Sequence, residues 1–206
     1  MRKERTDRQE RKAAERAAAE RTKRRNALLW RGALVVIVVG AVAFFYRSYT
    51  QHRLLEGVTT ANYPAGQHVV GRIDYRESPP LGGAHNVVWQ NCGIYNVPIH
   101  NEHAVHSLEH GAVWITYRSD LPSNQITALE SVASDDFMLL SPYPGLSAPV
   151  VASAWNHQIT LQSATDPSLR AFIAEYKNNP QTTPEFGAPC AGGTSAPATT
   201  DTLTGR

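Results

Sequence analysis

The 206-residue sequence is poor in sulfur, with two cysteines and two methionines. Two cysteines are too few for a disulfide-rich mini-domain or for a zinc or iron–sulfur site built from four thiolates. Met1 and Met138 alone argue against a methionine-based relay of Cu(I). The sequence also lacks internal repeats and a glycine-rich phosphate-binding loop. A mean hydropathy of −0.35 excludes a protein with many membrane spans, and 8% aromatic residues argue against global disorder.

Charge is distributed unevenly along the chain. Residues 1–25 carry eleven Lys or Arg against five Asp or Glu, whereas residues 48–206 carry seven against thirteen. Between these regions, residues 27–46 form a twenty-residue apolar run whose single charge is Arg31. A helix of this length, at about 1.5 Å per residue, matches the ~30 Å thickness of the hydrocarbon core. The sequence therefore predicts one transmembrane helix at 27–46.

This helix is predicted to be an uncleaved signal anchor. The segment 41–43, Ala-Val-Ala, has the form of a cleavage site, so cleavage after Ala43 is the alternative. The long basic region before the span and the apolar residues after Ala43 favour the anchor. The positive-inside rule then predicts a basic cytoplasmic tail at 1–26 and an extracytoplasmic domain, anchored in the cell membrane. We expect lipid contacts through the span and the basic tail, and no nucleic-acid partner, because no motif supports one.

Beyond the span, short strand-like segments alternate with a few helical ones. The patterns predict strands at 68–74, 87–89, 94–98, 112–117, 137–140, 150–155 and 157–162, and helices at 101–110, 121–133 and 166–177. This mixture predicts an α+β domain at 62–192, with a small mixed sheet and two or three short helices. A juxtamembrane stalk is predicted at 47–61 and a disordered tail at 193–206.

Both cysteines, Cys92 and Cys190, fall in the predicted extracytoplasmic domain. Thiols oxidise outside the cytoplasm, so we expect a disulfide bond between them. Two buried reduced thiols are the alternative. A nucleophilic role for Cys92 is a third, although no neighbouring residue marks it as reactive.

Four of the eight histidines fall within eleven residues, at His100, His103, His106 and His110. On a helix, the last three lie within a sector of about 60°, while apolar residues occupy the opposite side. Imidazole is the commonest ligand of transition metals, and two imidazoles at i, i+3 or i, i+4 can reach one ion. His103 and His110 lie about 10 Å apart along the helix axis, so one ion would need one pair and ligands from elsewhere.

His85, in a Pro/Gly loop at 78–85, is the best candidate for an outside ligand. Two carboxylates beside the imidazole face could ligate a metal or orient the imidazoles. We therefore predict a site for Zn or Cu drawn from His85, Glu102, His103, His106, Glu109 and His110. The alternative is a set of histidines on a solvated helix face that needs no ligand, in a non-catalytic envelope interaction module.

The segment 106–110, His-Ser-Leu-Glu-His, also matches H-x-x-E-H, the inverted zincin signature. In that signature Glu109 would be the catalytic base of a metal-dependent hydrolase. The motif requires a sustained helix and a third ligand on another helix, whereas Gly111 and an apolar strand follow His110 directly. A hydrolase is therefore a third hypothesis.

Several short motifs follow one another in the outer domain. They are PP-x-GG-x-H at 79–85, W-x-x-C-G-x-Y-x-x-P at 89–98, Glu102 followed by VHSLEHGAV at 105–113, SPYPGL at 141–146 and PVVASAW at 149–155. In this order they resemble a widespread bacterial family of single-pass membrane proteins with an extracytoplasmic domain of unknown function. That family's loop usually reads PPTSGPH, and PPLGGAH here keeps the final His85. The resemblance implies that His85, Glu102, His106, Glu109 and His110 belong to one site, and implies no activity, substrate or metal.

Overall fold

The computed structural model describes the backbone of residues 2–200 and 202–204, and it omits the side chains of residues 2–10, 13, 14, 17, 18 and 27. The parts of the predicted terminal tails at residues 1, 201, 205 and 206 lie outside the described residues. The chain divides into two compact units between Thr50 and Gln51.

Helix α1 spans Arg2–Leu54. Its residues up to Thr50 belong to the first unit, and its last four residues belong to the second. Within α1, Ala19–Leu54 is long and apolar enough to cross a membrane, with a mean hydropathy of 2.3 in its most apolar window and no residue of that window buried. The helix continues through residues 47–54, where the sequence predicted the start of a stalk. Residues 47–56 contain no Gly or Pro, so nothing in the local sequence ends the helix before Leu54.

The second unit contains a mixed sheet of six strands in the order β1-β6-β5-β3-β4-β2. Strand β4 pairs in parallel with β2 and β3, and the remaining pairs are antiparallel. The strands are β1 Thr59–Thr60, β2 Gly93–Ile94, β3 Val113–Tyr117, β4 Met138–Pro142, β5 Val150–Ala154 and β6 His157–Leu161, and the helices are α2 Asn101–Glu109, α3 Ser123–Val132 and α4 Pro167–Tyr176. The predicted α+β class, with a candidate transmembrane helix, is confirmed.

The two faces of the sheet carry different helices. Val113 and Ile115 of β3 pack in a core that includes Leu129 of α3 and Phe172 of α4. Trp114, between them in sequence, packs in a second core with Val105 and Leu108 of α2. Because side chains alternate across a strand, the sheet separates α2 from the other two helices. The histidine-rich helix therefore has its own face of the sheet.

Two of the predicted strands are loops. Residues 68–74 and 87–89 form no strand, and only isolated bridges join His68 to His85 and Gln90 to Thr194. Gly71, at φ +93°, turns the chain in the middle of the first segment. The strand predicted at 94–98 is also shorter than expected, because the structure has only the two-residue strand β2 there.

Residues 193–200 and 202–204, where the sequence predicted a disordered tail, follow the surface of the rest of the second unit. The backbone N–H groups of Thr194 and Ala198 donate to the carbonyls of Trp89 and Pro98 at 2.9 and 2.8 Å. Leu203 is 3% exposed, and its carbonyl accepts from the N–H of Gly71 at 3.0 Å. These backbone hydrogen bonds depend little on side-chain identity, so the composition does not reveal them.

Cys92 and Cys190 lie at disulfide distance, with their Cα atoms 5.4 Å apart. The N–H of Cys92 also donates to the carbonyl of Cys190 at 2.8 Å. The pair joins the loop before α2 to the segment that follows α4.

Candidate metal centre

Helix α2 is buried on every side. All residues from Glu102 to Glu109 are buried, and His103, His106 and His110 are 3% exposed or less. The alternative of a solvated imidazole face is therefore wrong. The sheet covers one side of the helix, and loop residues such as Asn86 and Val88 contact the imidazoles.

The end of α2 is fixed by Gly111. Its φ of +100° is a conformation that residues with a Cβ rarely adopt, and a Cβ there would meet Thr183 Cγ2 at 2.9 Å. The carbonyl of Gly111 accepts from the N–H of Asn178 at 2.8 Å, and the carbonyl of Glu109 accepts from the N–H of Glu185 at 3.1 Å. The segment after α4 is therefore held against the end of the histidine helix.

Four side chains, which we call the quartet, converge at this helix: His68, His85, His106 and Glu109. One donor atom from each lies within 4.8 Å of the others, and three of the four side chains are buried while His68 is exposed. The ring centroids of the three histidines lie 4.7 to 5.0 Å from one another. Three imidazoles and one carboxylate form a donor set suited to a transition metal.

Backbone carbonyls orient two of these imidazoles. Nδ1 of His85 lies 2.8 Å from the carbonyl of Gly83, and Nδ1 of His106 lies 2.7 Å from the carbonyl of Asn86. A carbonyl oxygen only accepts, so each Nδ1 donates, and in the neutral imidazole the lone pair is on Nε2. Metal-binding histidines are commonly oriented by such a contact.

Glu109 is fully buried, and its two oxygens have different surroundings. Oε1 accepts from the N–H of Gly66 at 2.6 Å. Oε2 lies 2.9 Å from His85 Nε2, but neither atom has a hydrogen-bond partner among the described residues. A buried imidazole nitrogen and a buried carboxylate oxygen that face each other need a proton or a metal cation between them.

The pKa shifts favour the protonation states that bind a metal. Burial lowers the pKa of His106 to about 4, and the neighbouring His85, His110 and His68 add to this, against the opposing effect of the Asn86 carbonyl. Burial by itself raises the pKa of Glu109, but the contacts with His85 and with the N–H of Gly66 outweigh it, so the net shift is downward. At neutral pH His106 is therefore neutral and Glu109 is ionised.

A second group of donors, which we call the triplet, consists of His106, His110 and Glu185. One donor atom from each lies within 4.8 Å of the others. Nδ1 of His110 lies 2.8 Å from the carbonyl of Pro189, and its Nε2 lies 3.1 Å from Glu185 Oε2. The side chain of Glu185 is 43% exposed, and the ring of Trp89 packs against both histidines.

Among the described residues, the predicted ligands Glu102 and His103 belong to neither the quartet nor the triplet. Both ring nitrogens of His103 have partners, the carbonyl of Val88 at 2.6 Å and Thr202 Oγ1 at 2.8 Å. Oε1 of Glu102 accepts from the N–H of Ile73 at 2.9 Å. These side chains hold loops and the carboxyl-terminal segment against α2.

Sequence reasoning missed His68 and Glu185. His68 is 38 positions before His106 and lies in a segment that read as a strand, so no local spacing connects the two. The bridge that joins His68 to His85 brings it to the site. Glu185 lies in the segment that the two cysteines hold near His110. A rule based on helical spacing does not detect a contact of this kind.

The geometry differs from that of an inverted zincin. Helix α2 ends at Glu109, and both oxygens of that carboxylate face Gly66 N–H and His85 Nε2. A catalytic base needs a carboxylate oxygen that can reach a substrate water. Glu109 therefore fits the role of a ligand better than that of a base.

Comparison with known proteins is consistent with the predicted family of unknown function. No curated protein and no solved structure matches the chain. One family model, described as "Protein of unknown function (DUF3105)", matches residues 68–192. The matched range begins at His68, ends two residues after Cys190 and contains every member of the quartet and the triplet. Because this match covers more than half of the sequence, the chain belongs to the DUF3105 family.

Proposed function

We propose that this chain is a single-pass membrane protein whose outer domain binds one transition-metal ion through the quartet. The observation that carries the proposal is the convergence of the four donor atoms within 4.8 Å of one another, which includes the 2.9 Å contact between His85 Nε2 and Glu109 Oε2. Two atoms that bind one tetrahedral zinc ion lie roughly 3.3 Å apart, so this pair already has nearly the spacing of neighbouring ligands.

The donor chemistry favours Zn²⁺ or Cu²⁺. Neutral imidazoles and a carboxylate suit these borderline ions, whereas Cu⁺ prefers thiolate or thioether sulfur. Cys92 and Cys190 pair with each other, and Met138 is fully buried in the core on the opposite face of the sheet. None of these sulfur atoms belongs to the quartet.

The location of the domain is part of the same proposal. The basic residues before the apolar helix favour a cytoplasmic amino terminus and an extracytoplasmic domain at the cell membrane. Cysteines at disulfide distance are in keeping with an oxidising compartment.

Metal content tests the proposal. The full chain is purified in detergent, without chelators and with an affinity tag that contains no histidine, and its metals are measured by mass spectrometry. We expect about one equivalent of Zn or Cu in the wild type and less than about 0.2 in Glu109→Gln and His85→Gln. The control is His52→Gln, which removes an exposed histidine outside both donor groups.

The variants must first be shown to fold, by circular dichroism and by their melting curves. A wild type with less than about 0.2 equivalents of every metal would contradict the proposal. That result would favour a non-catalytic envelope interaction module, in which the buried histidines serve only to hold loops.

A further inference from the structure

His106 belongs to both the quartet and the triplet. Its Nδ1 donates a hydrogen bond to the carbonyl of Asn86 at 2.7 Å, so Nε2 is the ring nitrogen that can bind a metal ion. A neutral imidazole nitrogen has a single lone pair and binds one ion at a time. Two ions therefore cannot both use His106, and the two groups are alternative positions for one ion.

The two positions differ in number of ligands and in the kind of ligand that is exposed. The quartet has four donors: Glu109 and His85 are fully buried, and the exposed one is the imidazole of His68. The triplet has three donors, and one of them, Glu185, has a side chain that is 43% exposed. More ligands favour the quartet at equilibrium, whereas the exposed ligand of the triplet is a carboxylate, which attracts an incoming hydrated cation more strongly than the exposed imidazole of His68 does.

We propose that His110 and Glu185, together with His106, form an exchange position through which a divalent transition-metal ion enters and leaves the quartet. This inference depends on the metal-binding function proposed above. During entry the ion keeps its bond to His106 Nε2, loses its bonds to His110 and Glu185, and forms bonds to His68, His85 and Glu109. Only coordinate bonds change, and no electron is transferred.

The contacts around the triplet support this role. Nδ1 of His110 is fixed by the carbonyl of Pro189, so its Nε2 faces Glu185. The backbone N–H of Glu185 donates to the carbonyl of Glu109. This hydrogen bond holds Glu185, a ligand of the triplet, directly against a member of the quartet. The two groups of ligands are therefore joined through the shared His106 and through this backbone contact between Glu185 and Glu109.

Exchange kinetics test the inference in the full chain. Zn²⁺ uptake and its removal by a competing chelator are followed by stopped-flow in the wild type, in Glu185→Gln and in Glu175→Gln. Glu175, an exposed carboxylate on α4, provides a matched control because it belongs to neither donor group. We expect Glu185→Gln to slow uptake and removal equally, by about tenfold, with an unchanged Kd and one ion per chain. We expect Glu175→Gln to behave as the wild type.

A second variant makes the exchange position visible. With His68→Ala and His85→Ala combined, one ion should still bind at the triplet, about a hundredfold more weakly than in the wild type, and adding Glu185→Gln should abolish that binding. Unchanged rates in Glu185→Gln, a weaker Kd with normal uptake, or two ions per wild-type chain would each overturn the inference while leaving the quartet intact. A wild type without any bound metal would overturn the proposed function as well.

Discussion

The imidazole of His106 is held by the backbone of Asn86, whose carbonyl lies 2.7 Å from Nδ1. The side chain of Asn86 donates to the carbonyl of Leu203 at 3.3 Å. Leu203 also accepts from Gly71, in the loop that carries His68. The carboxyl-terminal segment therefore supports two loops of the quartet, although it contributes no ligand.

Truncation of Leu203 should destabilise the domain that contains the sheet. Leu203→Ala removes a side chain that is 3% exposed, and we expect a loss of about 2 kcal/mol in the free energy of unfolding. Differential scanning calorimetry of the full chain measures the change. Thr204→Ser, at the exposed neighbouring position, is the control. Equal melting temperatures for the two variants would show that the segment does not stabilise the domain.

Gly111 should tolerate no side chain. Gly111→Ala places a Cβ 2.9 Å from Thr183 Cγ2 and 3.0 Å from Asn178 Cα, at a φ of +100°. We expect a loss of about 2–4 kcal/mol, because steric overlap adds to backbone strain. Gly145→Ala has a φ of +75° with open space around the Cβ, so it measures the strain alone, at about 1 kcal/mol. Chemical denaturation measures the free energy of unfolding of both variants. Similar losses would show that close packing around Gly111 does not add to the backbone strain.

The metal-free chain should lose stability as the pH falls from about 6.5 towards 4. Burial lowers the pKa of His106 from 6.5 to about 4, and burial also lowers the pKa of His103. The unfolded chain therefore takes up protons first, so the stabilisation is present above pH 6.5 and declines below it. We expect His106 to account for about 2 kcal/mol between pH 7 and pH 5.

Unfolding monitored by tryptophan fluorescence, with a chelator present, measures this effect. His106→Gln does not titrate, so its stability should change by about 2 kcal/mol less over the same interval. If the wild type and His106→Gln show the same pH dependence, the buried neutral state of His106 is refuted.

The cysteine pair should be oxidised in chain isolated from cells. Denaturation without reductant, followed by alkylation, should add no label to Cys92 or Cys190, and reduction beforehand should expose both. Mass spectrometry of the intact chain counts the labels. Two labels without reduction would disprove the bond and weaken the extracytoplasmic placement of the domain.

The regular elements of the domain could be predicted from sequence because their causes are local. Asp166 and Pro167 predicted the start of α4, where the Asp166 side chain accepts from the N–H of Ser168 at 2.9 Å. The apolar runs of β3, β4 and β5 predicted strands because both of their faces are buried.

The candidate site was predictable only in part. His106 and Glu109 lie on one predicted helix, and His85 ends a recognisable Pro/Gly loop. His68 reaches them through contacts between loops, and Glu185 through the backbone of Glu109. Such long-range contacts leave no periodic pattern in the sequence. The same reason explains why the sequence did not reveal the backbone contacts of the carboxyl-terminal segment.

X-ray absorption at the metal edge, on full chain loaded with one equivalent of Zn²⁺, tests the central claim most directly. The account predicts three imidazole nitrogens and one carboxylate oxygen at about 2.0–2.2 Å, with the carboxylate and the four-coordinate geometry lost in Glu109→Gln. A shell of solvent oxygens alone, sulfur scattering at about 2.3 Å, or a spectrum unchanged by Glu109→Gln would contradict it.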